Sequence, residues 1–203
     1  MKILLSGFEP FGGSAINPSA EVIRAVAGHA MAPFDLHTVL LPVTCDGGPA
    51  ALVQAIEAFK PDAILCLGQA GGRSTLSIER VALNLLDFSM PDNAGKSMTD
   101  APIVADGPAA YFATLPVRAL LSAIRNAGVP AELSLSAGTY LCNQVLYAAL
   151  HHIAVHRLPT RAGFIHLPSL PEQAIERPGP SMALGTMIAG IRAALVSLAQ
   201  NSR

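Results

Sequence analysis

The sequence contains no tryptophan, only three cysteines and few charged residues, and these shortages exclude several classes of protein. Cys45, Cys66 and Cys142 are odd in number and lack paired spacing, which excludes a disulfide framework and a cysteine zinc site. The net charge of -1 gives no electrostatic basis for binding nucleic acid or an acidic membrane surface. Arg192 interrupts the C-terminal apolar segment, so we expect no transmembrane helix.

What the sequence does have is length and hydrophobicity. A chain of 203 residues, 51% of them hydrophobic, can bury a core without help from disulfides or metal. We find no linker or internal repeat, and therefore predict one domain over residues 1–203. The opening apolar run is too short for a signal peptide, so we expect a reducing, cytoplasmic location.

A strand, a loop and a helix alternate through the first part of the chain. That alternation predicts a three-layer α/β fold, in which a mostly parallel sheet is flanked by helices on both faces. Strands are predicted at residues 2–6, 34–43, 63–68, 74–87, 131–137 and 160–167. Helices are predicted to begin near residues 17, 47, 115, 139 and 182. The polar segment 91–108 is too long for a simple connection, which is typical of functional or mobile loops.

Cys142 follows the strand that Gly138 ends. Thr139 is placed to cap a helix, and apolar residues then recur at helical spacing, so Cys142 falls in the first helical turn. Unpaired backbone N–H groups and the positive end of the helix dipole favour the nucleophilic thiolate there. The alternative is that Cys142 is simply a small buried apolar residue.

His166 lies near the end of the strand that follows the Cys142 helix. If that strand runs parallel to the strand before the helix, the two residues meet at one edge of the sheet. A cysteine at a helix start facing a histidine is typical of an activated thiol nucleophile. The alternative is a core histidine whose ring bonds a backbone carbonyl.

A catalytic histidine needs a third group to orient its ring, and Glu79 is the best candidate. Glu79 is predicted to share an otherwise apolar strand face with Val81, where a carboxylate needs a partner. The alternative is that Glu79 forms an ion pair with Arg73 or Arg80.

Two glycine-rich loops follow the first and third strands. Neither carries a dinucleotide or phosphate motif, which disfavours the alternative of a nucleoside phosphorylase-like or nucleotide-binding protein. The first loop instead presents Phe8 and Phe11, either as a flat apolar slot or as plugs in the core beneath. Gln69 in the second loop offers an amide donor and acceptor.

Taken together, these loops and the Cys142 region resemble the pyroglutamyl peptidase I family of cysteine peptidases. The resemblance extends from residue 1 to about residue 175 and keeps the family's order. The segments that carry it are Ser6–Gly13, Gly68–Arg73, Ile78–Asn84, Pro91–Asn93, Asp106–Phe112, Ser136–Asn143, Gly163–Pro168 and Leu170–Gln173.

The resemblance implies a function and a set of site residues. It implies a cysteine exopeptidase that removes an N-terminal pyroglutamyl residue from peptides, with Glu79, Cys142 and His166 as catalytic residues. It also implies a twisted, phosphorylase/hydrolase-like sheet between helices, a homo-oligomer (tetramer or dimer), and no metal or organic cofactor. The residues it assigns to the pyroglutamyl pocket are Phe8, Phe11, Gln69, Tyr140 and Leu141.

One segment departs from the family pattern. The family commonly has an arginine two residues before Pro91, where this chain has Ser89. Near the active site, that arginine would polarise the scissile carbonyl. With serine at this position, we expect an enzyme whose oxyanion contact is weaker. The alternative is a protein that binds pyroglutamyl peptides without cleaving them.

Overall fold

The computed structural model describes residues 1–27 and 34–201 of the chain. Eight strands and six helices are present in these ranges. The strands are β1 Lys2–Phe8, β2 Asp35–Leu41, β3 Ala63–Gln69, β4 Leu76–Glu79, β5 Val81–Leu83, β6 Ala110–Phe112, β7 Ala131–Ser134 and β8 Arg161–Leu167. The helices are α1 Pro18–Ala27, α2 Gly47–Phe59, α3 Val117–Asn126, α4 Leu141–His156, α5 Pro171–Glu176 and α6 Leu184–Gln200.

Six strands form the central sheet, in the order β2-β1-β3-β8-β4-β7. The pairs β2–β1, β1–β3, β3–β8 and β4–β7 are parallel, whereas β4 and β8 are antiparallel. The middle strands β1, β3 and β8 are almost wholly buried, as expected for parallel strands covered on both faces. The predicted α/β fold with a mostly parallel sheet is therefore confirmed.

Helices cover both faces of the sheet and divide the core in two. On one face, α1, α3 and α6 contribute Val22, Ile124 and Ile191 to a core that includes Leu5 and Leu65 of the sheet. On the other face, the apolar residues of α2 and α4 pack against the opposite side chains of the same strands. The alternation of side chains along each strand separates these two layers. No helix within residues 1–27 and 34–201 is long and apolar enough to cross a membrane.

The prediction of one long strand at 74–87 is wrong, because the chain passes from one sheet to another at Arg80. β4 stays in the central sheet, while β5 pairs antiparallel with β6 in a separate two-stranded sheet. The N–H of Arg80 donates to Ser134 O of β7, and its carbonyl accepts from Ala113 N just after β6. One residue therefore bonds both sheets, and Glu79 becomes the last residue of β4.

The expected parallel return of the chain from Cys142 to His166 is also wrong. β7 is parallel to β4, and β4 is antiparallel to β8, so β7 and β8 run in opposite directions and are not neighbours. The chain reaches the helix start through residues 135–140 rather than by a direct strand-to-helix turn. Gly138 lies in this connection with a φ of 77°, in the left-handed region that favours glycine.

The start of α4 also differs from the prediction. Tyr140 is the N-cap residue, in extended conformation, and Leu141 begins the helix. The hydroxyl of Thr139 donates instead to Asp87 O over 2.7 Å, which ties the connection to the chain after β5. Cys142 nevertheless lies in the first turn, as predicted.

Candidate active site

An open pocket of about 430 Å³ lies at the sheet edge where β1, β3 and β8 end. Ligands of open α/β sheets bind at such carboxyl ends. Every predicted site residue except Glu79 lines this pocket. The lining residues are Phe8, Phe11, Asn17, Val43, Gln69, Ala70, Gly71, Arg73, Ser89, Met90, Ala137, Gly138, Tyr140, Leu141, Cys142 and His166.

Glu79 lies directly behind the pocket and is hydrogen-bonded to its histidine. His166 Nδ1 is 2.8 Å from Glu79 Oε1, and both side chains are buried. The antiparallel pairing of β4 with β8 creates this contact, because Ser77 lies opposite His166 and Glu79 opposite Phe164 on the same face. The bond to Nδ1 leaves Nε2 as the ring nitrogen that serves the pocket.

Arg73 binds the same carboxylate oxygen, so the ion pair considered as an alternative role for Glu79 is also present. Arg73 Nη1 is 2.7 Å from Glu79 Oε1, and Nη2 donates to Ser136 O over 3.1 Å. The two roles predicted for Glu79 are therefore not exclusive, since one oxygen serves both His166 and Arg73. Arg80, the other candidate partner, is not among the residues that line the pocket.

The Cys142 thiol lies over the last residues of β3, just before the glycine-rich loop. Its sulfur is 2.8 Å from the position that a Cβ on Gly68 would occupy. Gly68 is paired with His166 across the parallel β3–β8 ladder. This register, together with the shared pocket, brings Cys142 and His166 to the same point of the sheet edge.

Burial sets the charge of the thiol and the imidazole. It raises the pKa of Cys142 to about 12, and the Glu79 carboxylate adds to the shift. Burial also lowers the pKa of His166; Glu79 opposes this effect and Arg73 reinforces it. Burial and the nearby carboxylate thus oppose the helix terminus, which was predicted to favour the thiolate. Burial therefore favours the uncharged form of both the thiol and the imidazole.

The Glu79 carboxylate is ionised in this site. Burial raises its pKa, but hydrogen bonding to His166 and the His166 charge, followed by Ser134 and Arg73, lower it to below the ordinary glutamate value. An ionised carboxylate on Nδ1 places the ring proton on that nitrogen and keeps Nε2 as an acceptor.

Aromatic rings form one wall of the pocket. Phe8 is only 3% exposed and belongs to the core as well as to the pocket, whereas Phe11 is half-buried. Tyr140 lies near both Phe11 and Phe88, with ring centroids at 6.4 and 4.7 Å. Phe8 therefore fits both predictions, since it lines the apolar slot and also fills the core beneath the loop. Phe11 fits the prediction of a slot.

Gln69 lines the pocket with an amide that is already engaged. Its Nε2 donates to Ser169 Oγ and Gln173 Oε1, and its Oε1 accepts from Gln173 Nε2. Gln173 also donates to Ser14 Oγ, which connects the second glycine-rich loop to the first. The side chain of Gln69 is thus held in one orientation at the base of the pocket.

The segment after β5 forms the opposite wall and is fixed by polar bonds from Asp92, which is buried, and Asn93, which is exposed. The Asp92 carboxylate accepts from the N–H groups of Cys45, Ala94 and Lys96 over 2.7–2.9 Å. Asn93 donates to Glu9 Oε1 and Pro10 O of the first loop. Ser89 and Met90 are thereby held at the pocket surface, so the departure from the family pattern faces the site.

Sequence reasoning missed four residues that shape the site. Asn17 is fully buried, lines the pocket and donates to Glu9 O over 3.0 Å. Asn143, next to Cys142, bonds the backbone of Leu83 and Leu85 and so anchors the helix start. Gly68 and Asp92 are the other two. Two of these residues could have been found from the sequence: Gly68, because it ends an apolar strand, and Asn17, because it precedes the helix proline Pro18.

Within residues 1–27 and 34–201, no group of three histidine, cysteine or acidic side chains is placed to hold a metal ion. The chemistry that the described residues offer is that of a thiol, an imidazole and a carboxylate. An imidazole held by a carboxylate beside a cysteine at a helix start is the arrangement of a cysteine-type hydrolase.

Comparison with known proteins names the family. The pyroglutamyl peptidase family model matches residues 1–201. Pyrrolidone-carboxylate peptidase 1 of Photorhabdus laumondii is 45% identical over 98% of this chain and 94% of its own. The pyrrolidone-carboxylate peptidase of Thermococcus onnurineus is 49% identical over 93% of this chain and 94% of its own. The crystal structure of Bacillus amyloliquefaciens pyroglutamyl peptidase I has a TM-score of 0.96 and 38% identity, covering 99% of this chain and 98% of that one.

The chain belongs to the pyroglutamyl peptidase family of cysteine peptidases. The resemblance noted from the sequence is thus confirmed, and the phosphorylase-like alternative is not supported.

Proposed function

We propose that this protein hydrolyses the bond after an N-terminal pyroglutamyl residue, with Cys142 as nucleophile, His166 as general base and acid, and Glu79 as the group that orients His166. The observation that carries the assignment of roles is the 2.8 Å contact between Glu79 and His166 at the wall of a pocket that also contains Cys142. Family membership supports the choice of substrate.

The order of proton transfers in this proposal starts from an uncharged thiol and imidazole, the forms that burial favours. His166 Nε2 takes the thiol proton as the sulfur attacks the scissile carbonyl carbon. The imidazolium then gives that proton to the leaving amine, and the C–N bond breaks to leave a thioester. Water next attacks the thioester with His166 again as base, which releases pyroglutamate and restores the Cys142 thiol.

The backbone at the start of α4 supplies the oxyanion contact. The first N–H groups of a helix have no acceptor within the helix. In α4, the first hydrogen bond of the helical pattern is the one that Gln144 N donates to Tyr140 O. We assign the N–H groups of Leu141 and Cys142 to the developing oxyanion, because both residues line the pocket. Fixed donors of this kind act without reorganisation during the reaction.

The pyroglutamyl ring is a small, uncharged lactam, and the pocket suits it. We assign its apolar face to Phe8, Phe11 and Tyr140, whose rings border the cavity. Because its amide is bonded to Gln173, Gln69 acts in this proposal as a rigid wall rather than as a freely turning partner. No charged side chain is required to bind a blocked amino terminus.

Location and assembly are parts of the same proposal. All three cysteines are free thiols, which supports a reducing, cytoplasmic location. The likeness to the family is the ground for proposing a homo-oligomer, dimer or tetramer. Light scattering coupled to size exclusion measures the subunit number.

The decisive experiment is release of the chromophore from a pyroglutamyl amide, with and without thiol alkylation. Cys142→Ala is expected to abolish release, while the matched variant Cys45→Ala retains most of it. A parallel incubation with a nucleoside and inorganic phosphate tests the phosphorylase alternative. Turnover of the nucleoside, or full activity of Cys142→Ala on the amide, would overturn the proposal.

A further inference from the structure

We propose that Arg73 is a positioning residue for the Glu79 carboxylate, joining it to the segment 134–136 that leads toward α4, and that its charge opposes a second cation at the same carboxylate oxygen. This inference rests on the proposed function, because it assigns Arg73 a part in the same reaction. Arg73 comes from the loop before β4, outside the three elements that carry the catalytic side chains.

The guanidinium bridges two parts of the site. One nitrogen, Nη1, bonds Glu79 Oε1 over 2.7 Å, and the other, Nη2, bonds Ser136 O over 3.1 Å. Glu79 ends β4, and Ser136 follows β7, six residues before Cys142. A planar fork with two fixed donors holds both partners in one geometry, whereas a lysine ammonium is a flexible point charge.

Arg73 affects the charge of the site as well as its geometry, because it shares one carboxylate oxygen with His166. Arg73 and His166 each donate to Glu79 Oε1, while Glu79 Oε2 has no partner among the described residues. The guanidinium and the imidazole are thus held within about 6 Å of each other, a distance at which like charges disfavour each other. Protonation of His166 would place two cations on one carboxylate oxygen.

The groups around His166 come from several elements. Glu79 approaches from β4, Arg73 from the preceding loop, Cys142 from α4, and Cys66 from the neighbouring strand β3. Burial raises the pKa of both thiols to about 12, so neither carries charge near neutral pH. Arg73 is therefore the cation whose removal changes the titration of His166.

The test compares the pH dependence of kcat/KM in three variants. The acid limb reports protonation of His166, the base of the reaction. Arg73→Met removes the charge and is expected to move this limb to higher pH, because a nearby cation that disfavours the imidazolium is gone. Arg73→Lys keeps the charge, so its limb stays in place, but kcat falls up to about 10²-fold because the bond to Ser136 is lost. Arg80→Gln, the matched neighbouring control, changes neither.

A cycle with Glu79 separates positioning from a general loss of structure. If Arg73 acts through Glu79, the Arg73→Met substitution made on a Glu79→Gln background has a much smaller effect on kcat than on the wild type. If Arg73→Met does not fold, Arg73→Gln replaces it in both measurements.

An acid limb that stays at the wild-type pH in the charge-free variant would overturn the inference, as would an equal shift in Arg80→Gln. A wild-type protein without activity on pyroglutamyl amides is a different result. It would refute the proposed function itself. An unshifted acid limb in an active enzyme would refute only the inference about Arg73.

Discussion

The sulfur of Cys142 lies 2.8 Å from the point where a β-carbon on Gly68 would stand. The same point is 2.7 Å from the ring of Phe164, so a methyl group at residue 68 meets two immobile neighbours. Gly68 also faces His166 across the sheet. The Cys142 thiol is therefore placed by the absence of a side chain on the strand beneath it.

Gly68→Ala is expected to lower kcat sharply while the fold persists. Overpacking of this kind costs about 1–3 kcal/mol of stability, and displacement of a reacting group by about 1 Å costs roughly 10² in rate. The measurements are kcat on a pyroglutamyl amide and the midpoint of thermal unfolding. Gly185→Ala on α6, where nothing lies within 4 Å of the added carbon, is the matched control. Wild-type kcat in Gly68→Ala would show that the close contact does not matter.

Alkylation should distinguish the three cysteines by access and by the nearby base. Cys142 opens into the pocket, whereas Cys45 is 6% exposed and Cys66 is fully buried. Sub-stoichiometric iodoacetamide is expected to label Cys142 first, Cys45 more slowly and Cys66 last. Because burial raises the pKa of Cys142 to about 12, its labelling rate should keep rising with pH instead of reaching a plateau near neutrality.

Peptide mapping of the labelled protein shows which cysteine has reacted first. Label on Cys45 or Cys66 at the moment when activity disappears would contradict the assignment of Cys142. A labelling rate that reaches its plateau near neutral pH would contradict the neutral resting thiol and favour a thiolate–imidazolium pair.

The two phenylalanines should separate binding from folding. Phe8→Ala is expected to lose about 3–5 kcal/mol of stability, because Phe8 is 3% exposed and packs in the core. Phe11→Ala should leave unfolding nearly unchanged and lower kcat/KM by about two- to tenfold, since a ring contact is worth about 0.5–1.5 kcal/mol.

Denaturant melts and kinetics on both variants provide the measurement. Unfolding of Phe11→Ala would assign that ring to the core instead of the slot. Phe8→Leu, which keeps most of the buried volume, serves as the milder control at the first position.

The overall fold was largely predictable, because alternation of short apolar runs with helical periodicity is a local signal. The wrong elements all depend on distant partners. The alternating pattern continues through Arg80 without a break, so nothing local marks the point where β4 leaves one sheet and β5 enters another. β6, the strand that captures β5, lies almost thirty residues later and is only three residues long.

The proximity of Glu79, Cys142 and His166 was predicted even though one step of the topological argument fails. Cys142 and His166 were expected to meet because of parallel strands, but β7 and β8 run in opposite directions. The residues meet because residues 135–140 bring the helix start back to the pocket. Such a return depends on long-range bonds, for example from Thr139 to Asp87, that no local pattern reveals.

Asp92 gives a prediction for stability against pH. Burial raises the pKa of its carboxyl, but three backbone N–H donors, those of Cys45, Lys96 and Ala94, lower it below the ordinary value. A carboxylate with a depressed folded-state pKa stabilises above its unfolded pKa, about 3.9, and loses that contribution as the pH falls through the folded value.

Asp92→Asn is expected to destabilise the protein at pH 7 by about 1–3 kcal/mol, because a backbone N–H loses its acceptor. The difference from the wild type should shrink as the pH falls below about 4. Chemical denaturation from neutral to acidic pH measures it, with the exposed Asp87→Asn as control. A difference that is constant over this range would mean that the carboxylate charge plays no part.

Ser89 gives the sharpest test of catalysis, because it faces the pocket at the position where the family commonly has an arginine. An arginine there would add charge near the developing oxyanion, and loss of one oxyanion donor typically costs about 10²–10³ in kcat. Arg73 does not replace it, since its guanidinium is engaged by Glu79 and Ser136. The enzyme is therefore expected to be active but slow, relying on the backbone donors at the start of α4.

Ser89→Arg should raise kcat with little change in KM, because the new charge acts on the transition state more than on the bound substrate. Ser89→Gln, of similar length but uncharged, is the control and should stay near the wild-type rate. Steady-state kinetics on a pyroglutamyl amide measure all three proteins. If Ser89→Arg leaves kcat unchanged or lowers it, the oxyanion site is already complete and the missing-donor argument fails. If only Ser89→Arg shows turnover, the natural chain is a binder of pyroglutamyl peptides that Ser89 has silenced.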